Sequence, residues 1–153
     1  MIHEIISDSV QKTRNLGVRL SKIVKTPRVI ALQGDLGAGK TEFVRGFVSG
    51  LETSDDIVTS PTFMLWNLYE IAGLSVNHLD LYRLGSIDEI LELGILDVWS
   101  APENYTLIEW AEKIDSILPA DAIRINFEHL DENSRAIKIV DNFNEFQDKL
   151  INL

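Results

Sequence analysis

The sequence predicts an α/β fold, with a mixed, mainly central β-sheet flanked by helices, built as one domain over residues 1–153. Three observations lead there. Apolar runs of strand length alternate with stretches whose apolar residues recur at helical spacing. One strand-like run passes directly through a glycine-rich stretch into an amphipathic helix, across residues 28–51. At 153 residues the chain is long enough for one hydrophobic core and too short for two.

Taken in order, Ile2–Ile6 reads as a short strand, and Ser7 and Asp8 as the cap of a helix carrying Val10, Leu16, Leu20, Ile23 and Val24. Pro27 ends that helix. Arg28–Gln33 is a compact apolar run of strand length, and from Lys40 onward Phe43, Val44, Phe47, Val48 and Leu51 share a helical face, with Gly50 near the stop. Phe63–Glu70 and Leu74–Leu81 read as a hairpin around Ala72-Gly73. Ser86 caps a short helix with Asp88 and Glu89 in its first turn, where the helix dipole favours acids. Tyr105–Trp110 is a strand of buried type. Ala122–Phe127 and Ala136–Val140 form a second hairpin across His129–Ser134, and Asn144–Leu153 carries Phe146, Leu150 and Leu153 at helical spacing.

Composition narrows the function. The net charge of −10 argues against a chain that grips nucleic acid by itself, because that grip needs a Lys/Arg surface. The acidic pairs Asp55-Asp56, Asp88-Glu89 and Asp131-Glu132 read as solvated turns and a helix start, or else as docking points for a basic partner. No apolar run reaches the length of a bilayer span, and the apolar start is broken by His3 and Glu4, so neither a membrane helix nor a signal peptide is expected. There is no cysteine, which suits a reducing cytoplasm.

Gly34-Asp35-Leu36-Gly37-Ala38-Gly39-Lys40-Thr41 fits the phosphate-loop pattern G-x-x-x-x-G-K-S/T at every defined position. Glycines let successive backbone N–H groups point at one anion, and the helix that follows adds its unpaired N–H groups and the positive end of its dipole. Lys40 is then expected to reach the β- and γ-phosphates and the Thr41 hydroxyl to coordinate Mg²⁺. The expected ligand is ATP with magnesium.

Turnover needs a carboxylate near the metal and a group that orients water. Asp80 ends the run His78-Leu79-Asp80, and Glu109 ends Leu107-Ile108 immediately before Trp110. Strand ends are where α/β sheets bind ligands, so both suit the metal or its waters. The plain alternatives are a turn cap or a bridge to Arg83 for Asp80, and an exposed strand end for Glu109. Ser60-Pro61-Thr62 is either a loop that senses phosphate through a hydroxyl or a proline turn. His3, His78 and His129 lack metal-like spacing and read as surface or packing residues, with no zinc expected. Trp66, Trp99 and Trp110 read as packing, although Trp110 adjoins a candidate ligand.

The phosphate loop, Ser60-Pro-Thr-Phe63, His78-Leu-Asp-Leu-Tyr-Arg83 and Ile108-Glu-Trp110, in this order, resemble the TsaE (YjeE-like) family, small bacterial ATPases of threonylcarbamoyladenosine synthesis on transfer RNA. The resemblance spans Arg28 to about Pro119. It implies that Lys40 and Thr41 hold phosphate and Mg²⁺, that Glu109 is the second metal ligand and that Asp80 matters for hydrolysis. It places Thr62 in a mobile segment, makes Trp110 functionally sensitive, and matches Arg135 to a basic residue near the adenine. Leu79 and Ala111 stand where the family often has phenylalanine and proline, and neither change removes a functional group. The implied role is ATP hydrolysis while docked on a TsaD-type transferase and its TsaB-type companion, which hold the transfer RNA. Two other readings stand beside it: a small-molecule kinase sharing the loop, though without an arginine-rich lid, and an assembly module switched by ATP. A GTPase is disfavoured, since neither Asp-x-x-Gly nor Asn-Lys-x-Asp occurs.

Overall fold

The structure is a computed structural model and describes residues 1–51 and 65–150. Ser60, Thr62 and the expected strand start at Phe63 lie outside the described residues. The elements run β1 (Ile2–Ser7), α1 (Val10–Ile23), β2 (Val29–Gly34), α2 (Lys40–Gly50), β3 (Trp66–Ile71), β4 (Leu74–Asp80), α3 (Ile87–Glu92), α4 (Ile95–Ser100) and β5 (Asn104–Glu109). A 3₁₀ helix (Ala111–Ile117), β6 (Ile123–His129), β7 (Arg135–Val140) and a second 3₁₀ helix (Gln147–Leu150) complete the order.

The described strands make one mixed sheet in the order β1-β7-β6-β2-β5-β4-β3. β2 lies parallel to both β5 and β6, and β4 is parallel to β5. The outer pairs β1/β7, β6/β7 and β3/β4 are antiparallel. The α/β class and the central mixed sheet expected from the sequence are what the chain adopts.

Side chains alternate across the sheet, so each central strand feeds two cores. Ile30, Leu32, Val76 and Leu107 face α1 and α2, packing with Leu16, Leu20, Phe43, Phe47 and Val48. Val29, Ala31, Leu79 and Ile108 face the other way, against Ile90, Ile95 and Ile114. On the first side the helices nearly touch backbone to backbone. A Cβ on Gly46 would sit 1.9 Å from the Arg14 carbonyl oxygen, and one on Gly17 would sit 2.2 Å from that of Phe43. The phosphate-loop helix is thereby wedged between α1 and the sheet.

Several local expectations shift. The cap of α1 is Ser9, whose side chain accepts from Lys12 N; Ser7 instead bonds its hydroxyl to that of Thr13 at 2.8 Å. The β3–β4 turn uses Ala72 and Gly73 at φ of 50° and 80°, the left-handed pair that a two-residue hairpin favours. β5 stops at Glu109 because Trp110 turns left-handed. Where a helix is expected from Asn144, that residue is left-handed at φ 55°, and the described part of the segment forms one 3₁₀ turn. α4 and the 3₁₀ helix after Trp110 were not foreseen from the pattern. No described helix is long and apolar enough to cross a membrane.

Candidate active site

Three parallel strands end at one place. β2 delivers Gly34 and the loop beyond it, β4 delivers Asp80, and β5 delivers Glu109. Asp80 and Glu109 are register partners on adjacent strands, so both carboxylates stand on the same sheet face as α2. Residues Leu36–Glu42, Asp80, Tyr82, Glu109 and Trp110 line a cavity of about 280 Å³.

The loop is closed on itself by Ala38 N donating to the Asp35 carbonyl at 3.1 Å. Gly39 occupies the helix N-cap at φ 104°, a conformation that a Cβ disfavours. No side chain caps α2, which leaves its first N–H groups for an anion. Lys40 is buried and donates to the carbonyls of Gly34 and Asp35, while its ammonium lies 3.7 Å from the centroid of the Trp110 ring. Burial holds its pKa below the ordinary lysine value, against the opposing pull of Glu112, Glu109, Asp80 and Asp35.

On the facing wall, Thr41 Oγ1 donates to Glu109 Oε1 at 2.8 Å. Asp80 Oδ1 accepts from Tyr82 N at 2.9 Å, the turn cap weighed as its plain alternative. That bond does not settle its titration. Burial raises the Asp80 pKa above its ordinary value, and the nearby Glu109 charge raises it further, outweighing the Tyr82 bond, His78 and Lys40. Glu109 is buried and not an exposed strand end.

The donor set suits a hard cation. Hydroxyl and carboxylate oxygens alone are presented, and Thr41 and Glu109 are already one hydrogen bond apart. Among the described residues no group of three or more His, Cys, Asp or Glu could hold a metal ion. Magnesium does not need one, since it takes one or two protein ligands and fills its shell with phosphate and water.

Lys40, Thr41, Asp80, Glu109 and Trp110 are thus brought together with Leu36, Gly37, Ala38 and Gly39, while Gly34 and Asp35 brace the lysine from behind. Arg135 lies against the loop without lining the cavity; its Cδ is 3.5 Å from where a Gly39 Cβ would be. Trp110 does more than pack, because it adopts φ 61° and holds its ring under Lys40. A bulky residue in that region marks a site where the surroundings enforce strain.

Three contributors escaped the sequence reading. His78 is fully buried, with Nε2 2.8 Å from Glu109 Oε1. Tyr82 packs against Trp110 with ring centroids 5.0 Å apart. Lys113 donates to the carbonyls of Tyr82 and Leu84 at 2.7 and 2.8 Å, tying the turn after β4 to the 3₁₀ helix after β5. The period-2 pattern held one signal: His78 must share a sheet face with Asp80.

The chain is similar to several known proteins. A curated protein of Rickettsia felis, named tRNA threonylcarbamoyladenosine biosynthesis protein TsaE, is 38% identical over 141 residues, covering 92% of this chain and 81% of that one. A protein of the same name from Haemophilus influenzae is 40% identical over 112 residues, covering 73% and 69%. The crystal structure of Bacillus subtilis YdiB superposes with a TM-score of 0.71 at 26% identity, covering 97% of this chain and 91% of that one. The family described as threonylcarbamoyl adenosine biosynthesis protein TsaE matches residues 7–137. With the family matching residues 7–137 and curated relatives similar over most of the chain, this protein belongs to the TsaE family.

Proposed function

We propose that this chain is a cytoplasmic ATPase, acting as one domain over residues 1–153, which binds and hydrolyses Mg-ATP while docked on partner proteins that modify transfer RNA. The observation that carries this reading is the 2.8 Å contact between Thr41 Oγ1 and Glu109 Oε1 at the mouth of the phosphate loop. A hydroxyl from the loop and a carboxylate from a neighbouring strand end are the two protein ligands that a phosphate-bound magnesium requires.

Thr41 and Glu109 would hold the magnesium ion, which would supply charge to offset that of the phosphates. The chain supplies the rest. Lys40 exchanges its carbonyl partners, Gly34 and Asp35, for phosphate oxygens, and the α2 N-terminus receives the same anion. Its ammonium keeps the Trp110 ring as a fixed backing. Asp80, which lines the same cavity at the neighbouring strand end, is the acceptor we assign to the attacking water. The family is named for threonylcarbamoyl adenosine biosynthesis, which supports partners of that chemistry; our reading takes them to be a TsaD-type transferase and its TsaB-type companion. The net charge of −10 supports an indirect relation to the transfer RNA, held by those partners.

The test is ATP hydrolysis by the purified protein alone and with the transferase complex added. Stimulation by the complex is expected, with Lys40→Ala and Glu109→Ala each lowering the stimulated rate by at least about 100-fold. Undiminished turnover in both variants would overturn the reading. Transfer of labelled phosphate to an acceptor other than water would replace it with the kinase reading.

A further inference from the structure

We propose that His78 is a positioning residue for Glu109, fixing the carboxylate that meets the magnesium ion; this inference rests on the Mg-ATP reading above. His78 sits on β4, in register with Leu107, one pair of residues deeper in the sheet than Asp80 and Glu109. Its ring is completely buried, and Nε2 lies 2.8 Å from Glu109 Oε1. A carboxylate oxygen only accepts, so Nε2 is the donor. The same Oε1 also accepts from Thr41. Two donors arriving from different elements fix the carboxylate about its terminal torsion, which is otherwise broad.

The other ring nitrogen makes the case stronger. Nδ1 is buried and has no hydrogen-bond partner among the described residues. A buried polar atom without a partner is costly, and an apolar side chain at this position would avoid that cost. Val76 and Leu107, beside His78 on the same face, show that the surroundings accept aliphatic groups. The one hydrogen bond that an imidazole gains here, among the described residues, is the bond to Glu109. Packing therefore gives no reason for a histidine, and Glu109 does. Partners that orient a metal-binding carboxylate typically account for about 10- to 100-fold in metal affinity or activity.

The test separates positioning from packing through three variants of the full chain. His78→Leu removes the donor, His78→Asn carries its amide nitrogen at the Nδ1 position, and His78→Gln carries it at the Nε2 position. Binding of a fluorescent ATP analogue is titrated in EDTA and then with increasing Mg²⁺, and melting temperatures are recorded alongside. In His78→Leu and His78→Asn, the Mg²⁺ concentration that half-saturates the metal-dependent signal is expected to rise by about 10-fold or more. Metal-free affinity is expected to stay at the wild-type value, and His78→Gln to restore the wild-type Mg²⁺ dependence. Equal loss of metal-free and metal-dependent binding in all three variants overturns the inference in favour of packing. So does a wild-type Mg²⁺ titration in the leucine and asparagine variants. An absence of Mg²⁺ dependence in the wild-type chain itself would instead bring down the Mg-ATP reading.

Discussion

The flank and the N-terminus of α2 are built on opposite terms. Along its flank, Gly46 and Gly17 allow α1 to approach until a single added Cβ would strike a backbone carbonyl. That seam is tightly packed and without slack, with the Arg14–Glu42 ion pair crossing from one helix to the other. At its N-terminus the same helix opens onto a buried lysine, two carboxylates held side by side, an imidazole nitrogen with no described partner and a tryptophan forced into the left-handed region. Each of those features costs stability. The difference teaches that the strained end is held in place by the rigid flank. A loop that must present its N–H groups to phosphate needs a helix that cannot shift, and the glycine seam prevents that shift.

The sharpest way to break the comparison is Gly46→Ala. Helix propensity alone predicts stabilisation of about 1 kcal/mol. The 1.9 Å approach to the Arg14 carbonyl predicts the reverse, because backbone cannot swing aside as a side-chain tip can. A loss of about 3 kcal/mol is expected, a fall in Tm on the order of 10 °C, read by thermal melting. An unchanged or raised Tm would show that the helices separate freely.

The same substitution at Gly37 sharpens the contrast. There a Cβ would meet nothing within 4 Å, and the cost comes only from holding φ at 74°. A loss of about 1 kcal/mol is expected in denaturant unfolding, with the larger effect on nucleotide affinity. Equal losses at positions 37 and 46 would erase the distinction between seam and mouth.

The smallest effect has the opposite sign. Because burial raises the Asp80 pKa, the folded protein binds more protons than the unfolded chain between the ordinary value of 3.8 and the raised one. Stability attached to this group therefore falls as pH rises through that window, and at neutral pH the ionised form is a cost. Asp80→Asn, which keeps an oxygen for Tyr82 N, is expected to melt slightly higher at neutral pH while losing hydrolysis. The advantage should shrink as the pH is lowered toward 3.8. A lower Tm at neutral pH would mean that the charge is compensated in the folded protein.

How legible all this was depended on how far apart the cooperating residues lie in the chain. The phosphate loop could be read outright, since its chemistry requires residues at fixed, contiguous spacing. Asp80 and Glu109 were legible as acids closing apolar runs, a pattern that strand ends produce. His78 was not, because its reason is a carboxylate 31 positions away, and alone it looks like any core histidine. α4 spans six residues between a left-handed Gly94 and Ala101, too few for a helical period to declare itself. Trp110 reads as packing from its own neighbours and as functionally sensitive only through the resemblance, because a left-handed backbone leaves no mark on composition. Arg135 did fall beside the loop, reaching Gly39 across the fold, but outside the cavity.

The sheet order has a consequence for how the molecule comes into being. β2, which carries the phosphate loop, is flanked on both sides by strands made much later, Val29 pairing with Thr106 and Ile30 with Ile123, and among the described strands β1 pairs with β7 alone, Ile2 against Val140. During synthesis the loop strand emerges long before either neighbour exists, so its apolar edge must wait. Closure of such distant pairings is slow, and waiting edges invite aggregation. The cavity where β2, β4 and β5 end is therefore among the last features to form on the ribosome, and any ligand it takes meets a chain in which all three strands have already been made.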